Sequence, residues 1–526
     1  MLATGCGVVL IASLILGGGT RGGFLSDVIL QLIAIPLFLV SLSELQRSNA
    51  GIRLRNALRF CAALVLIPIL QLLPLPPLLW TWLPGQEIIA EAFTLLQQEL
   101  AWRPISVAPH ATWLGLLSLI VPLAVFLAAV QLRRRERQLL SLTLLGIGVI
   151  SLFLGLLQVS QGPSSPLRFF AFTNPTEAVG FFANRNHFSA LLYSLMLIAA
   201  AWTVHVGALL SQTDGRKGYD TPLIVALLAG LALMVSLIGA QMMARSRAGL
   251  GLAILALIAV WALAVRDRPK GTGTASSRLL AGAVGLAVVL GMQFALYRVI
   301  DRFGIDPLVD ARIPFAKNTI TAAMDFMPFG SGVGTFVPVY SMFEPVHDML
   351  TFYANRAHND VLELWLEAGI AALLLMAVFL TWLIKRSIML WRMAPPHGSD
   401  IDLLLARSAG VVLVLVSLHS LVDYPLRTAA MMALFAFAAA LMFDPPDAPD
   451  ATRNTSPRSR AKKDVARGRI VRPATSHVAA SPQALRQDNS WPDVEWPEEW
   501  RAEPGHDTAG ESSGSSEARK SRKSRN

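Results

Sequence analysis

Cysteine is almost missing from this 526-residue chain, which has only Cys6 and Cys61. Both sit inside apolar blocks, so the sequence supports neither a disulfide framework nor a cysteine metal site, and it leaves the redox compartment open. Charge is scarce as well. Asp, Glu, Lys and Arg make up 15% of residues against 54% apolar ones. The apolar residues form long blocks instead of alternating or amphipathic patterns, which excludes an ordinary water-soluble domain. There is no Walker-type loop, HExxH helix or GxSxG elbow at the polar positions discussed below, and the one Asp-x-Asp pair, Asp400 and Asp402, falls in a segment expected on the cytoplasmic side. Nucleotide-sugar and ATP chemistry are therefore not expected. No internal repeat is found.

What is present is a series of apolar stretches, each near the roughly 20 residues a helix needs to cross the hydrocarbon core. They predict an all-α, polytopic transmembrane helical bundle of about twelve spans. The spans fall near residues 3–19, 25–43, 57–73, 112–131, 138–158, 187–206, 221–241, 249–265, 279–297, 360–384, 403–421 and 428–443. The block Thr4 to Leu16 has no basic region before it and no small-residue cleavage site after it, so it is expected to be a retained first helix. With the N-terminus in the cytoplasm, the clusters Arg47/Arg53/Arg55/Arg59, Arg133/Arg134/Arg135/Arg137, Arg266/Arg268/Lys270/Arg278 and Lys385/Arg386/Arg392 all fall inside. That agrees with the positive-inside rule and predicts a multi-pass inner-membrane protein with both termini cytoplasmic. The same clusters account for the formal charge of +10 without invoking nucleic acid as a partner.

Two outside segments are long, Leu73 to Ala111 and Arg298 to Ala357. The second is rich in Phe and Tyr and is expected to fold as a small cap, with a tight turn between Phe329 and Phe336. Beyond Phe443 the composition turns to Pro, Ser, Asp and Arg, with eight basic residues between Arg453 and Arg472. This tail is expected to be disordered and cytoplasmic, its basic run near anionic membrane lipids. Trp491, Trp496 and Trp500 read either as a docking motif for a polysaccharide-assembly partner or as part of a solvated segment. Three regions result: helices of residues 1–180, a core of residues 181–443 that includes the extracytoplasmic loop 298–357 before the tenth span, and the tail 444–526.

Candidate chemistry lies with cations that face outward at or near membrane depth: Arg185, Arg245, Arg247, Arg312 and Arg427. An arginine at a helix centre costs on the order of 2.5 to 3.5 kcal/mol, so a partner is expected. Pyrophosphate on a polyprenyl-linked sugar fits, because the guanidinium fork meets phosphate oxygens bidentately. Snorkelling to headgroups, or pairing with Asp310 or Asp423, is the structural alternative. The segment Ala357-His358-Asn359-Asp360 stands where the outer loop re-enters the membrane. There His358 could take a proton from an acceptor hydroxyl, while Asn359 or Asp360 with Glu363 could instead form a helix cap. Three further polar elements share that side: Asn184-Arg185-Asn186-His187, the run Gly330 to Gly334 with its backbone donors, and His419-Ser420 with Asp423. Outer-face carboxylates look sparse, so a metal site is not expected and arginine is left to neutralise the leaving group.

These residues resemble the O-antigen ligase/polymerase family. The resemblance rests on Phe182-x-Asn184-Arg185-Asn186-His187-Phe188, Ser246-Arg247-x-Gly249, Pro328-x-Gly330-x-Gly332-x-Gly334, His358-Asn359-x-x-Leu362 with Glu367 and Gly369, and His419-Ser420-x-x-Asp423. The five pieces come in the family's order and cover about residues 182–427; the first 180 residues and the tail add only topology. The resemblance implies a helical glycosyltransferase that takes glycan from undecaprenyl pyrophosphate and passes it to a glycan or lipid A-core acceptor, without a metal or other cofactor. It also implies functional roles for Arg247, Arg312 and His358. Around these, Arg185, Asn184, Asn186, Arg245, Asn359, Asp423 and Arg427 are expected from their positions to bind substrate. Ligases, polymerases of O-antigen, capsule or exopolysaccharide, and protein O-oligosaccharyltransferases share these motifs. A lipid-linked glycan transporter or flippase would also use many helices and buried arginines, but it should show inverted repeats or broken helices, and the sequence reveals neither. A membrane scaffold recruiting partners through its tail would leave the outward arginines and His358 unexplained.

Overall fold

The computed structural model describes residues 1–21, 23–47, 52–213, 220–266, 307–349, 353–395 and 399–445, with Gly282 and Gly285. The chain begins with α1 (Leu2–Leu16), α2 (Leu25–Arg47) and α3 (Ile52–Leu72), followed by the short α4 (Pro77–Trp80) and α5 (Glu87–Leu95). Two-residue strands β1 (Pro74–Leu75) and β2 (Arg103–Pro104) pair antiparallel around them. Then come α6 (Pro109–Ser118), α7 (Ile120–Ala129), α8 (Arg134–Gln161), α9 (Arg185–Thr213), α10 (Thr221–Ala244) and α11 (Arg247–Arg266). The last elements are α12 (Pro307–Asp325), α13 (Phe336–Phe343), α14 (Asp360–Arg392), α15 (Ile401–His419) and α16 (Ala429–Leu441).

Among the described residues, nine helical stretches are long and apolar enough to cross a membrane. The shortest has 19 residues, which at 1.5 Å per residue spans about 28 Å, close to the hydrocarbon thickness. The helices α1 and α16 are apolar but shorter, at 15 and 13 residues. Apart from Gly282 and Gly285, the span expected at 279–297 lies outside the described residues, as does the tail beyond 445. Against the twelve expected spans, the described part holds nine helices of crossing length and two shorter apolar ones. This is a helical multi-pass membrane protein.

Outward faces carry exposed large side chains such as Leu32, Leu66, Phe153, Val235 and Leu374. Such a surface suits lipid and would associate in water. Inside, α9 packs on α8, α10, α11 and α15, and α16 fits between neighbours through buried Ala430, Ala433, Ala436 and Ala440. Small residues let helix backbones approach closely where no solvent drives association. The span 109–129 is broken at Leu119 into α6 and α7. Pro122 explains the break: it has no N–H to donate, and its ring crowds the carbonyl of Ser118 one turn earlier.

The helix α14 is interrupted as well. Gly369 has φ 56° and ψ −139°, so Asp360–Ala368 and Ile370–Arg392 are two helices sharing one run of sequence. The second piece has 23 residues, about 35 Å, and is long enough to cross alone. The freed carbonyls at the break are taken by the glycine-rich loop: Ser331 N–H donates to Leu366 O at 2.9 Å and Gly332 N–H to Glu367 O at 2.9 Å. Gln71 of α3 adds a bond from Nε2 to Glu367 O at 2.8 Å and accepts one from Val333 N–H at 3.0 Å. Gly330, with φ 78°, lies where a Cβ would stand 2.5 Å from Glu367 O, so only glycine closes this contact. The segments after β2 and around α12 and α13 meet here and bury a second small core of Phe315, Phe326, Phe336, Val339, Tyr340 and Leu366.

Chain reversal sorts the helix ends. At one end Arg134 pairs with Asp402 at 3.0 Å, Arg137 donates to Phe443 O, Arg386 to Met442 O and Arg407 to Leu390 O. The starts of α9, α11 and α14 gather at the other.

Candidate active site

At that other end a cavity of about 360 Å³ opens between the helix starts. Among its lining residues are Asn184, Arg185, Asn186, Arg247, Arg312 and His358, six of the ten positions singled out from sequence, and no carboxylate lines it among the described residues. Local structure explains how they get there. The Asn184 side chain accepts from Asn186 N–H at 2.8 Å and so caps α9, leaving Arg185 as its first residue. Arg245, with φ 53°, ends α10 in a left-handed turn. Ser246 then caps α11 by accepting from Gly249 N–H at 3.0 Å. Arg247 becomes the first residue of α11, and Gly249 leaves no side chain between α11 and Ser189 of α9, which it touches. The Ser-Arg-x-Gly motif is therefore a stop, a cap, a cation and a close approach.

A cation at the first position of a helix is disfavoured by the positive end of the helix dipole by about 0.3–1 kcal/mol, whereas an anion is favoured. Arg185 and Arg247 both occupy such positions, and Arg312 of α12 faces the same space. Arg185 pairs with Glu177 at 2.6 Å. Burial pushes the Glu177 carboxyl up, but Arg185 and the Thr176 hydroxyl more than reverse this and hold it below the usual carboxylate range. The connection carrying Glu177 is itself pinned, because Arg168 donates to Asn174 O at 2.6 Å and Gln158 accepts from Val179 and Gly180 N–H.

His358 also lines the cavity. Its Nδ1 lies 3.1 Å from Asp423 Oδ1, with Asp423 fully buried and His358 21% exposed. A carboxylate can only accept, so Nδ1 carries the proton and Nε2 keeps a lone pair in the neutral ring. Burial pushes the Asp423 carboxyl up, yet the His358 hydrogen bond and the fields of His358, His187 and His419 hold it well below the usual range. The ring is fixed from both sides: Phe315 stacks on it at 6.0 Å between centroids and Tyr424 meets it edge-on at 4.8 Å. Burial, followed by Asp423, pushes the Tyr424 hydroxyl up to about 12, so it stays neutral.

The backbone at His358 has φ 51°, a left-handed conformation that a side chain rarely adopts without support. Its support is a charge cluster. Glu363 accepts from Arg356 at 2.8 Å and from Ala357 N–H at 3.0 Å. Arg427 reaches Glu367 at 2.8 Å and both Glu363 and Asp360 at 3.4 Å. Burial opposes charge on Arg427, but Glu363, Glu367 and Asp360 raise its pKa well above the ordinary value, so it remains a cation.

Four expected substrate contacts thus fall elsewhere. Arg427 is enclosed by carboxylates behind the site. Asn359 caps α14 through Val361 and Leu362 N–H and donates to Leu421 O. Asp423 lies behind His358. Arg245 forms the exposed turn before Ser246. None of the four lines the cavity. The expected display of backbone donors by Gly330 to Gly334 is corrected too, since Ser331 and Gly332 N–H cap the break in α14, Gly330 N–H donates to Phe326 O and Val333 N–H to Gln71. Carboxylates are also less sparse at this end than the sequence suggested: Glu177, Asp360, Glu363, Glu367 and Asp423 are all buried there. A signal was available, since Asp360, Glu363 and Glu367 recur at helical spacing on one face of an apolar helix, which demands a buried cation. Among the described residues, no three His, Cys, Asp or Glu are grouped to hold a metal ion. Side chains passed over in the sequence include Thr20, Phe172, Asn174, Phe315, Asn355 and Tyr424, all cavity-lining.

The cavity is thus lined by two arginines at helix starts, a third within α12 and a carboxylate-backed histidine, at one end of a membrane bundle. Residues 231–377 match the family model described as O-Antigen ligase. That stretch contains Arg247, Arg312 and His358, and its similarity supports the O-antigen ligase/polymerase family and glycan transfer of that general type. No curated protein matches the chain.

Proposed function

We propose that the protein transfers or polymerises undecaprenyl-pyrophosphate-linked oligosaccharide at the periplasmic face of the bacterial inner membrane, with both termini in the cytoplasm. The observation that carries this reading is the pairing, in one cavity, of Arg247 and Arg312 with the free edge of a histidine whose Nδ1 is held by Asp423. Arg247 and Arg312 hold the donor pyrophosphate and neutralise it as a leaving group, in a role a metal ion plays elsewhere. His358 Nε2 takes the proton of an acceptor hydroxyl while that oxygen bonds to the anomeric carbon of the donor. The bond from that carbon to phosphate oxygen breaks, and polyprenyl pyrophosphate leaves with the electron pair. Arg185, Asn184 and Asn186 shape the same wall.

The interrupted α14 is a feature that a lipid-linked glycan transporter would also have. Here its carbonyls are closed by the glycine loop, which favours a fixed scaffold over a moving gate. Electrophoresis of surface glycans from a deletion strain tests the reading. Loss of the lipopolysaccharide ladder with full-length lipid-linked glycan accumulating means a ligase, whereas single repeat units or missing exopolysaccharide mean a polymerase. An unchanged glycan profile would reject both.

A further inference from the structure

The rim of the cavity carries a cationic and aromatic element that the transfer chemistry does not use. The Arg21 guanidinium lies 4.6 Å from the Phe172 ring centroid and 5.2 Å from that of Tyr353, both within cation–π range. Phe172 is 73% exposed and Tyr353 52%. Phe172 and Thr20, the neighbour of Arg21, line the cavity. Three separate connections meet in this contact: the one after α1, the one between α8 and α9, and the stretch from Tyr353 through Asn355 to His358.

We propose that Arg21, Phe172 and Tyr353 form an acceptor-sugar subsite that stacks a pyranose ring of the incoming glycan. The proposal rests on the transfer reading above. A pyranose has an apolar C–H face and a hydroxyl edge. The exposed rings match the face, and the planar guanidinium, held by those rings, presents several N–H donors to the edge. An acceptor is favoured over the donor because the donor's pyrophosphate engages arginines on α11 and α12, whereas Tyr353 belongs to the stretch that ends at the base. The five residue steps from Tyr353 to His358 span at most about 18 Å, so a glycan stacked on the rim can extend toward His358. Aromatic side chains also anchor proteins in the headgroup layer, and that is the outcome the test must separate.

The test is saturation-transfer NMR on the full chain in detergent micelles. The probe is oligosaccharide released by mild acid from the producing strain's own surface polysaccharide. Wild-type protein is expected to saturate pyranose ring protons, and Phe172→Ala, Tyr353→Ala and Arg21→Gln to lose at least about half of that signal, while Phe172→Trp keeps it. In transfer assays the acceptor KM of the first three variants rises roughly tenfold, and more than the donor KM does. Unchanged sugar signals in all three overturn the proposal. So does a fall in thermal midpoint in anionic-lipid nanodiscs with the sugar signal intact, which makes the rings a headgroup anchor. Absence of sugar signal in the wild type overturns it outright. Sugar binding without any turnover instead removes the transfer reading and leaves the subsite standing.

Discussion

At one end of the bundle Arg137, Arg386 and Arg407 are almost wholly buried and give their donors to the carbonyls of Val130, Phe443, Met442, Leu390 and Met393. At the other end Arg185, Arg247 and Arg312 line an open cavity. The residue type is the same, but the helix polarity it meets is opposite. Helix C-termini present unpaired carbonyls and a partial negative charge, so an arginine there completes the fold. Helix N-termini present N–H groups and a partial positive charge, so an arginine at the first position adds charge of the same sign and asks for an anion. The helix end that an arginine meets, C-terminal carbonyls or N-terminal N–H groups, is thus what sets the two groups apart.

The comparison can be broken at several points. His358→Ala should lower transfer by roughly 10²–10⁴-fold while membrane insertion and thermal midpoint stay near wild type. Normal transfer by that variant removes His358 as the base. Arg247→Ala should weaken donor binding by about 10–100-fold, the loss expected for hydrogen bonds to a charged group, with little change in stability. Titration with purified lipid-linked donor checks this, and unchanged affinity would deny the pyrophosphate contact. Arg407→Met should do the reverse. It strips the buried Leu390 carbonyl of its partner, at about 1–3 kcal/mol, and the part-buried Met393 carbonyl of another, so the thermal midpoint in detergent falls and donor affinity stays as it was. A donor-binding defect in Arg407→Met would erase the proposed division between the ends.

The smallest effect concerns pH. Asp423 titrates below the ordinary value in the folded protein. Its stabilising contribution is therefore fully present above the unfolded value near 3.9 and is lost as pH falls through the lower folded one. The stability difference between wild type and Asp423→Asn should be flat from about pH 5 to 8 and shrink only in acid, as thermal melts across that range would show. A difference that declines between pH 6 and 8 would mean that the Asp423–His358 pair titrates differently.

Much of this was legible because membrane helices announce themselves by length and composition, and because polar residues at a helix start stand out against apolar sequence. Asn184 to His187, Ser246-Arg247 and His358 were found that way and do converge. Positions that depend on partners far along the chain were not legible. The family-like run from Gly330 to Gly334 looks like a donor-rich turn until the break at Gly369 supplies the carbonyls that Ser331 and Gly332 serve. Arg427 looks like a ligand cation until α14 supplies three carboxylates. Phe172 and Arg21 belong to connections with no pattern of their own, and only the folded chain brings them beside Tyr353.

The interruption at Gly369 also bears on the bilayer. An unbroken 33-residue helix would be a lever about 50 Å long, and a tilt of about 10° forced by a thicker or thinner membrane would swing its tip by about 9 Å. Because the helical ladder is cut and the upper piece is fastened to the glycine loop and to Gln71, the lipid-facing piece can lean without carrying the histidine with it. Reactivity at His358 would then be buffered against membrane thickness.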